Sequence, residues 1–113
     1  MKTSLILATA GLAAALLGAP VAHAADAAAG EALAKKEGCL KCHAVDKKKD
    51  AISLKEIAKK HAGKPDGEAK ILAQITTGQK VKLEDGTEEE HKIIKSKDKA
   101  EVTNMIQWIL SLK

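Results

Sequence analysis

The two cysteines of this 113-residue chain fall in one short run, Cys39-Leu40-Lys41-Cys42-His43, the pattern Cys-x-x-Cys-His. Two thiols three positions apart on one helical turn can add to the two vinyl groups on one edge of a porphyrin, and the next residue then falls under the iron. His43 is the expected proximal ligand. It offers neutral Nε2 to the metal while a backbone carbonyl holds Nδ1–H. Other readings of the run fare worse. A redox Cys-x-x-Cys pair belongs beside a βαβ pattern, and the chain has no such strand series. A structural zinc site needs four ligands, yet His61 and His91, the other histidines beyond residue 24, stand far apart. A disulfide leaves the adjacent histidine unexplained. The expectation is one covalently bound haem c, with iron.

Such a group also answers a composition problem. Trp108 is the only residue among Phe, Trp and Tyr, so the apolar inventory is mostly Ala, Leu, Ile and Val. A small domain with so few large hydrophobes needs a supplement to its core, and a covalent porphyrin is a large flat one. The charge balance, 19 lysines and no arginine against 15 acidic residues, is modestly basic. With no arginine for bidentate phosphate contacts and no aromatic platform, nucleic-acid binding is not expected. Lys35, Lys36, Lys41, Lys47, Lys48 and Lys49 flank the haem motif, whereas Glu84, Asp85 and Glu88 to Glu90 form an acidic block far down the chain. The arrangement predicts a charge dipole.

Residues 1–24 read as a secretory signal peptide. Lys2 is the charged start, Leu5 to Leu17 the apolar stretch and Ala22-His23-Ala24 the cleavage signal, so the mature domain is expected over residues 25–113, exported to the periplasm and not inserted in the membrane after cleavage. Export agrees with haem attachment beyond the membrane.

Four helices are legible. The first runs from an N-cap at Asp26 to Lys36 and closes before Gly38. Ser53-Leu54-Lys55-Glu56 is a capping box, with Ile52 and Ile57 as its hydrophobic staple, and opens a helix that places Leu54, Ile57, Ala58 and His61 on one face. A third helix begins near Asp66, carries Ala69, Leu72 and Ile75 inward, and stops at Gly78. The last starts between Ser96 and Asp98 and carries Val102, Met105, Ile106, Ile109 and Leu110 at helical spacing. Between Gln79 and Lys95 there is no helical period; Val81 and Leu83 before Asp85-Gly86 suggest a small hairpin.

Ala29-Gly30-Glu31-Ala32-Leu33, Cys39 to His43 and Gln107-Trp108-Ile109-Leu110-Ser111-Leu112 together resemble a small bacterial monohaem class I c-type cytochrome over essentially the whole mature sequence. The resemblance implies an all-α fold of about four helices around the haem, with the first and last helices crossing at a glycine matching Gly30 and an aromatic residue matching Trp108. It also implies a distal methionine in the loop before the last helix. This loop has none. His91 stands near that place, so His91 is the expected sixth ligand, ahead of Met105, His61 or a vacant site; a carboxylate of Glu88, Glu89 or Glu90 is expected to accept its Nδ1–H. The family's Gly-Pro after the motif, whose proline carbonyl holds the proximal histidine, is replaced by Ala51-Ile52, and Ile52 is expected to supply that carbonyl.

The function implied is one-electron transport without substrate chemistry, hence not an enzyme, by a monomer or weak dimer whose lysines near the haem edge meet an acidic patch on a redox partner protein. The alternative is a haem that binds NO, CO or O₂ at an open or displaceable sixth site.

Overall fold

The computed structural model describes residues 25–113, and the signal peptide expected over residues 1–24 lies outside the described residues. The elements follow in the order α1 (Ala27–Lys36), a 3₁₀ turn (Cys39–Lys41), α2 (Leu54–His61), α3 (Gly67–Thr77), the strands β1 (Lys80–Lys82) and β2 (Glu88–Glu90), and α4 (Lys99–Leu110).

The helix ends form where their capping chemistry lies. The Asp26 carboxylate accepts the Ala29 N–H at the start of α1, and that of Asp98 accepts the Glu101 N–H at the start of α4. Ser53 and Glu56 complete both bonds of the capping box at α2. Two more free N–H groups at that end, Leu54 and Lys55, donate to the carbonyls of Ala44 and Val45, which fastens α2 to the segment after the haem motif. Gly38, at φ +78°, turns the chain out of α1 and into the motif.

The core is built on α4, which packs against the other three helices. Leu33, Leu54, Met105 and Ile106 are each no more than 2% exposed. Helices α1 and α4 cross at Gly30, where an added Cβ would stand 2.6 Å from Trp108 Cβ. At the near end of the same crossing, Asn104 grips Asp26 reciprocally, its Oδ1 accepting the Asp26 N–H at 2.8 Å and its Nδ2 donating to the Asp26 carbonyl at 3.0 Å.

Helix α3 differs from expectation. Gly67, Ile71 and Ile75 face inward, while Ala69 is exposed and Leu72 is 43% exposed. Ile71 and Leu72 are adjacent, so the period alone fits either face. The choice is made by the α2–α3 turn, where a Cβ on Gly67 would run into the His61 carbonyl; that contact puts the Gly67 side, and Ile71 and Ile75 four and eight residues on, against the rest of the fold.

The loop expected to hold a hairpin does. β1 pairs antiparallel with β2, placing Lys80 opposite Glu90 and Lys82 opposite Glu88. Lys48 also reaches Glu84 at 3.6 Å. The basic and acidic blocks thus touch through Lys48 and Glu84, and the hairpin sets Lys80 and Lys82 beside the acidic block, so the charge separation is smaller than a linear reading suggests.

Gly30→Ala tests the helix crossing. Trp108 is 5% exposed and has little room to give, so the substitution should cost about 1–3 kcal/mol and lower Tm by roughly 4–8 °C per kcal/mol, read by thermal circular dichroism. An unchanged Tm would show that the indole can move aside.

Candidate haem site

Cys39 and Cys42 are both free thiols, half-buried at the rim of a cavity of about 850 Å³ whose wall also includes His43, His61, His91 and Met105. The 3₁₀ turn places them, the His43 N–H donating back to the Cys39 carbonyl at 3.0 Å. Burial, and then the negative charge of Glu37, push the Cys39 thiol above its usual range.

The His43 ring Nδ1 lies 2.7 Å from the Ile52 carbonyl. The residue expected to replace the family's proline carbonyl is in place, held there because Ala51 donates to the Cys42 carbonyl at 3.0 Å and Ser53 begins the capped α2. Burial depresses the basicity of His43 despite the opposing Ile52 bond, which favours the neutral ring that a metal ligand requires.

His91 follows β2, its N–H donating to the Gln79 carbonyl at 2.9 Å. Its ring centroid stands 6.2 Å from that of His43, with the planes 36° apart. The expected carboxylate partner is absent: Nδ1 lies 2.9 Å from the carbonyl of Lys92, the next residue. The β2 glutamates are all exposed, Glu88 and Glu90 standing opposite Lys82 and Lys80 and Glu89 opposite Val81.

Met105 is fully buried on the core stripe of α4. His61 closes α2, and its Nδ1 is buried with no hydrogen-bond partner among the described residues. Burial first, and then the neighbouring cations Lys64 and Lys70, lower its basicity.

One contributor carries no motif signal. Glu37, at the end of α1, is 3% exposed. Its Oε2 accepts the Lys95 N–H at 2.7 Å and its Oε1 the Ser96 N–H at 3.0 Å, while its carbonyl accepts from Lys92 Nζ at 2.7 Å. The backbone bond to Lys95 is the main reason its carboxyl titrates below the ordinary glutamate range. A Glu between a helix and a cysteine looks like surface in sequence; only the return of residues 92–96 buries it.

The donor set fits a covalent porphyrin: two unbridged thiols at the rim, a neutral imidazole anchored at Nδ1, an apolar enclosure of the size of a cofactor pocket, and an unpartnered polar nitrogen in its wall. Comparison with known proteins agrees. The Cytochrome c family profile matches residues 27–113. Cytochrome c2 of Rhodocyclus tenuis is 37% identical over 83 residues, covering 73% of this chain and 90% of that protein. Among solved structures, the class 1 cytochrome MtoD of Sideroxydans lithotrophicus ES-1 superposes with a TM-score of 0.75 at 48% identity, over 79% of this chain and 98% of that one. Cytochrome c552 of Nitrosomonas europaea superposes with a TM-score of 0.57 at 30% identity, over 74% and 99% respectively. With the Cys-x-x-Cys-His run seated in a cavity between helices that these relatives share, the chain belongs to the cytochrome c family as a class I c-type, monohaem electron carrier with covalently attached haem c.

Proposed function

We propose that this cytochrome is an exported, low-potential carrier in which His43 and His91 are the two axial ligands of a haem held by Cys39 and Cys42. The observation that carries the proposal is the 6.2 Å between the imidazole centroids. With a metal–nitrogen bond of about 2 Å and a further ~1 Å from nitrogen to ring centre, two imidazoles sharing an ion from opposite sides stand roughly 6 Å apart. When bound, the haem supplies a one-electron couple. The chain's part is to keep both rings still. Each Nδ1 is occupied by a backbone carbonyl, Ile52 for His43 and Lys92 for His91, which favours the tautomer whose Nε2 carries no proton and can bind a metal. Met105 belongs to the packed core of α4, and its removal would open a hole there. His61 Nδ1, with Lys60 and Lys70 on the same wall, offers donors to the porphyrin carboxylates.

Beside the motif cysteines in sequence, Lys41 and Lys47 are exposed and make none of the ion pairs found among the described residues, whereas Lys48 is paired with Glu84. These two lysines suit an acidic patch on a redox partner. No helix among the described residues is long and apolar enough to cross a membrane, and the A-x-A signal at Ala22 to Ala24 supports cleavage before Ala25 and a periplasmic location.

Intact mass of protein from an export-competent host should give a chain beginning at Ala25 with one haem that acid-acetone cannot extract; replacing both cysteines with serine should make all haem extractable. The ligand assignment has its own test. Oxidised protein should be low-spin, and His91→Ala should turn it high-spin and let ferrous protein bind CO at once, whereas Met105→Leu should lower Tm and leave the spectrum alone. A low-spin His91→Ala protein with its original bands would refute the assignment. CO binding to unaltered protein without delay would instead favour the gas-binding alternative.

Docking is tested by charge reversal. Lys41→Glu with Lys47→Glu should slow reduction by an anionic donor protein on the order of tenfold at low salt and flatten the salt dependence, since exposed charges act on encounter rate and are screened over ~10 Å at 0.1 M. Equal rates at low salt would move the contact surface elsewhere.

A further inference from the structure

Between β2 and α4, residues 91–98 have no regular structure. Apart from the His91 bond to Gln79, the backbone ladder offers this segment one anchor, the Ile94 N–H on the Ile75 carbonyl at 3.0 Å. Ile94 is also buried in the core, at 4% exposed, and Ser96 Oγ donates to Glu101 at 2.9 Å; the ties that reach back to the haem motif come from Glu37. One residue receives three bonds from this segment: its carboxylate takes the N–H groups of Lys95 and Ser96, and its carbonyl takes the Lys92 ammonium. That ammonium sits tight against Gly38, where an added Cβ would stand 3.0 Å from Nζ. Glu37 thus joins the residue two places before Cys39 to the residues that directly follow His91.

The side chain has no other structural duty to explain its burial. Closing α1 is done by the Glu37 backbone N–H, which donates to the carbonyls of Leu33 and Lys35. A buried carboxylate is costly unless its oxygens are bonded, so Glu37 stays inside only while residues 95 and 96 remain against it. The dependence runs both ways. If the segment lifts, the carboxylate loses its partners; if the carboxylate is removed, two N–H groups and the chain leading back to His91 lose theirs.

We infer that Glu37 is a positioning residue that clamps the distal segment, holding His91 over the cavity and setting how readily that ring leaves. The inference rests on His91 being the distal ligand. Glu37→Gln keeps the size of the side chain but replaces one acceptor with a donor that faces an N–H. In ferrous protein at saturating CO, binding is limited by departure of His91, and the variant should bind CO roughly tenfold faster, since the loss of one charge-assisted bond is of that order. Amide hydrogen exchange at Lys95 and Ser96 should accelerate with it. Asn104→Ala, which removes the paired bonds at the other end of α1, should lower Tm and leave the CO rate unchanged, separating the clamp from general stability. If Glu37→Gln does not fold, Lys92→Met carries the test with a smaller rise in the same direction.

A CO rate in the folded Glu37 or Lys92 variant equal to that of the unaltered protein overturns the inference, and if His91→Ala binds CO freely in the same assay the ligand assignment survives it. A His91→Ala protein that still excludes CO removes the ligand assignment, and the clamp's role in ligation falls with it.

Discussion

Two imidazole rings stand 6.2 Å apart in the wall of one cavity, and each is held by a backbone carbonyl rather than by a side chain. A carbonyl is only as well placed as the backbone that carries it, so the burden passes to the elements on either side. For His43 those elements are the α2 capping box and the bonds from Leu54 and Lys55 to Ala44 and Val45, which close the loop between motif and helix. For His91 they are the foot of the hairpin and the segment returning to α4. The first set is short-range and helical. The second joins residues on opposite sides of the site.

Much of this was legible in the sequence because it is local. The capping box, the glycine after α1, the small residue facing Trp108 and the carbonyl at Ile52 are matters of spacing within a few residues or of one-for-one correspondence with the resembled family. What escaped was set by partners distant in sequence. The inward face of α3 depends on how Gly67 meets the end of α2, which its own period cannot express when Ile71 and Leu72 are neighbours. The glutamates beside His91 looked like natural partners for its ring; they stay exposed on the paired strand, and the adjacent Lys92 carbonyl takes the bond. Glu37 was invisible for the same reason, since its partners lie 55 to 59 residues away.

The charge pattern shows the same limit on a larger scale. Read linearly, lysines cluster around the motif and carboxylates gather late in the chain. The hairpin folds the late block against lysines of its own, and Lys48 reaches Glu84. In the proposed docking, the lysines left outside these pairs beside the motif cysteines are the ones that steer an encounter.

The Asp26–Asn104 pair closes a loop of 78 residues at the crossing of the terminal helices, and the core gathers around that crossing. The hairpin, by contrast, consists of exposed residues apart from the half-buried Val81 and Leu83. Cooperative units of such unequal burial open at different free energies. The hairpin is the cheaper part to open while α1, α2 and α4 stay docked; under the proposed His91 ligation the molecule then has two separate lifetimes, one for its fold and a shorter one for the distal ring. On that same proposal the second is set by Glu37 with Lys92, Lys95 and Ser96, apart from the Asp26–Asn104 crossing that holds the first.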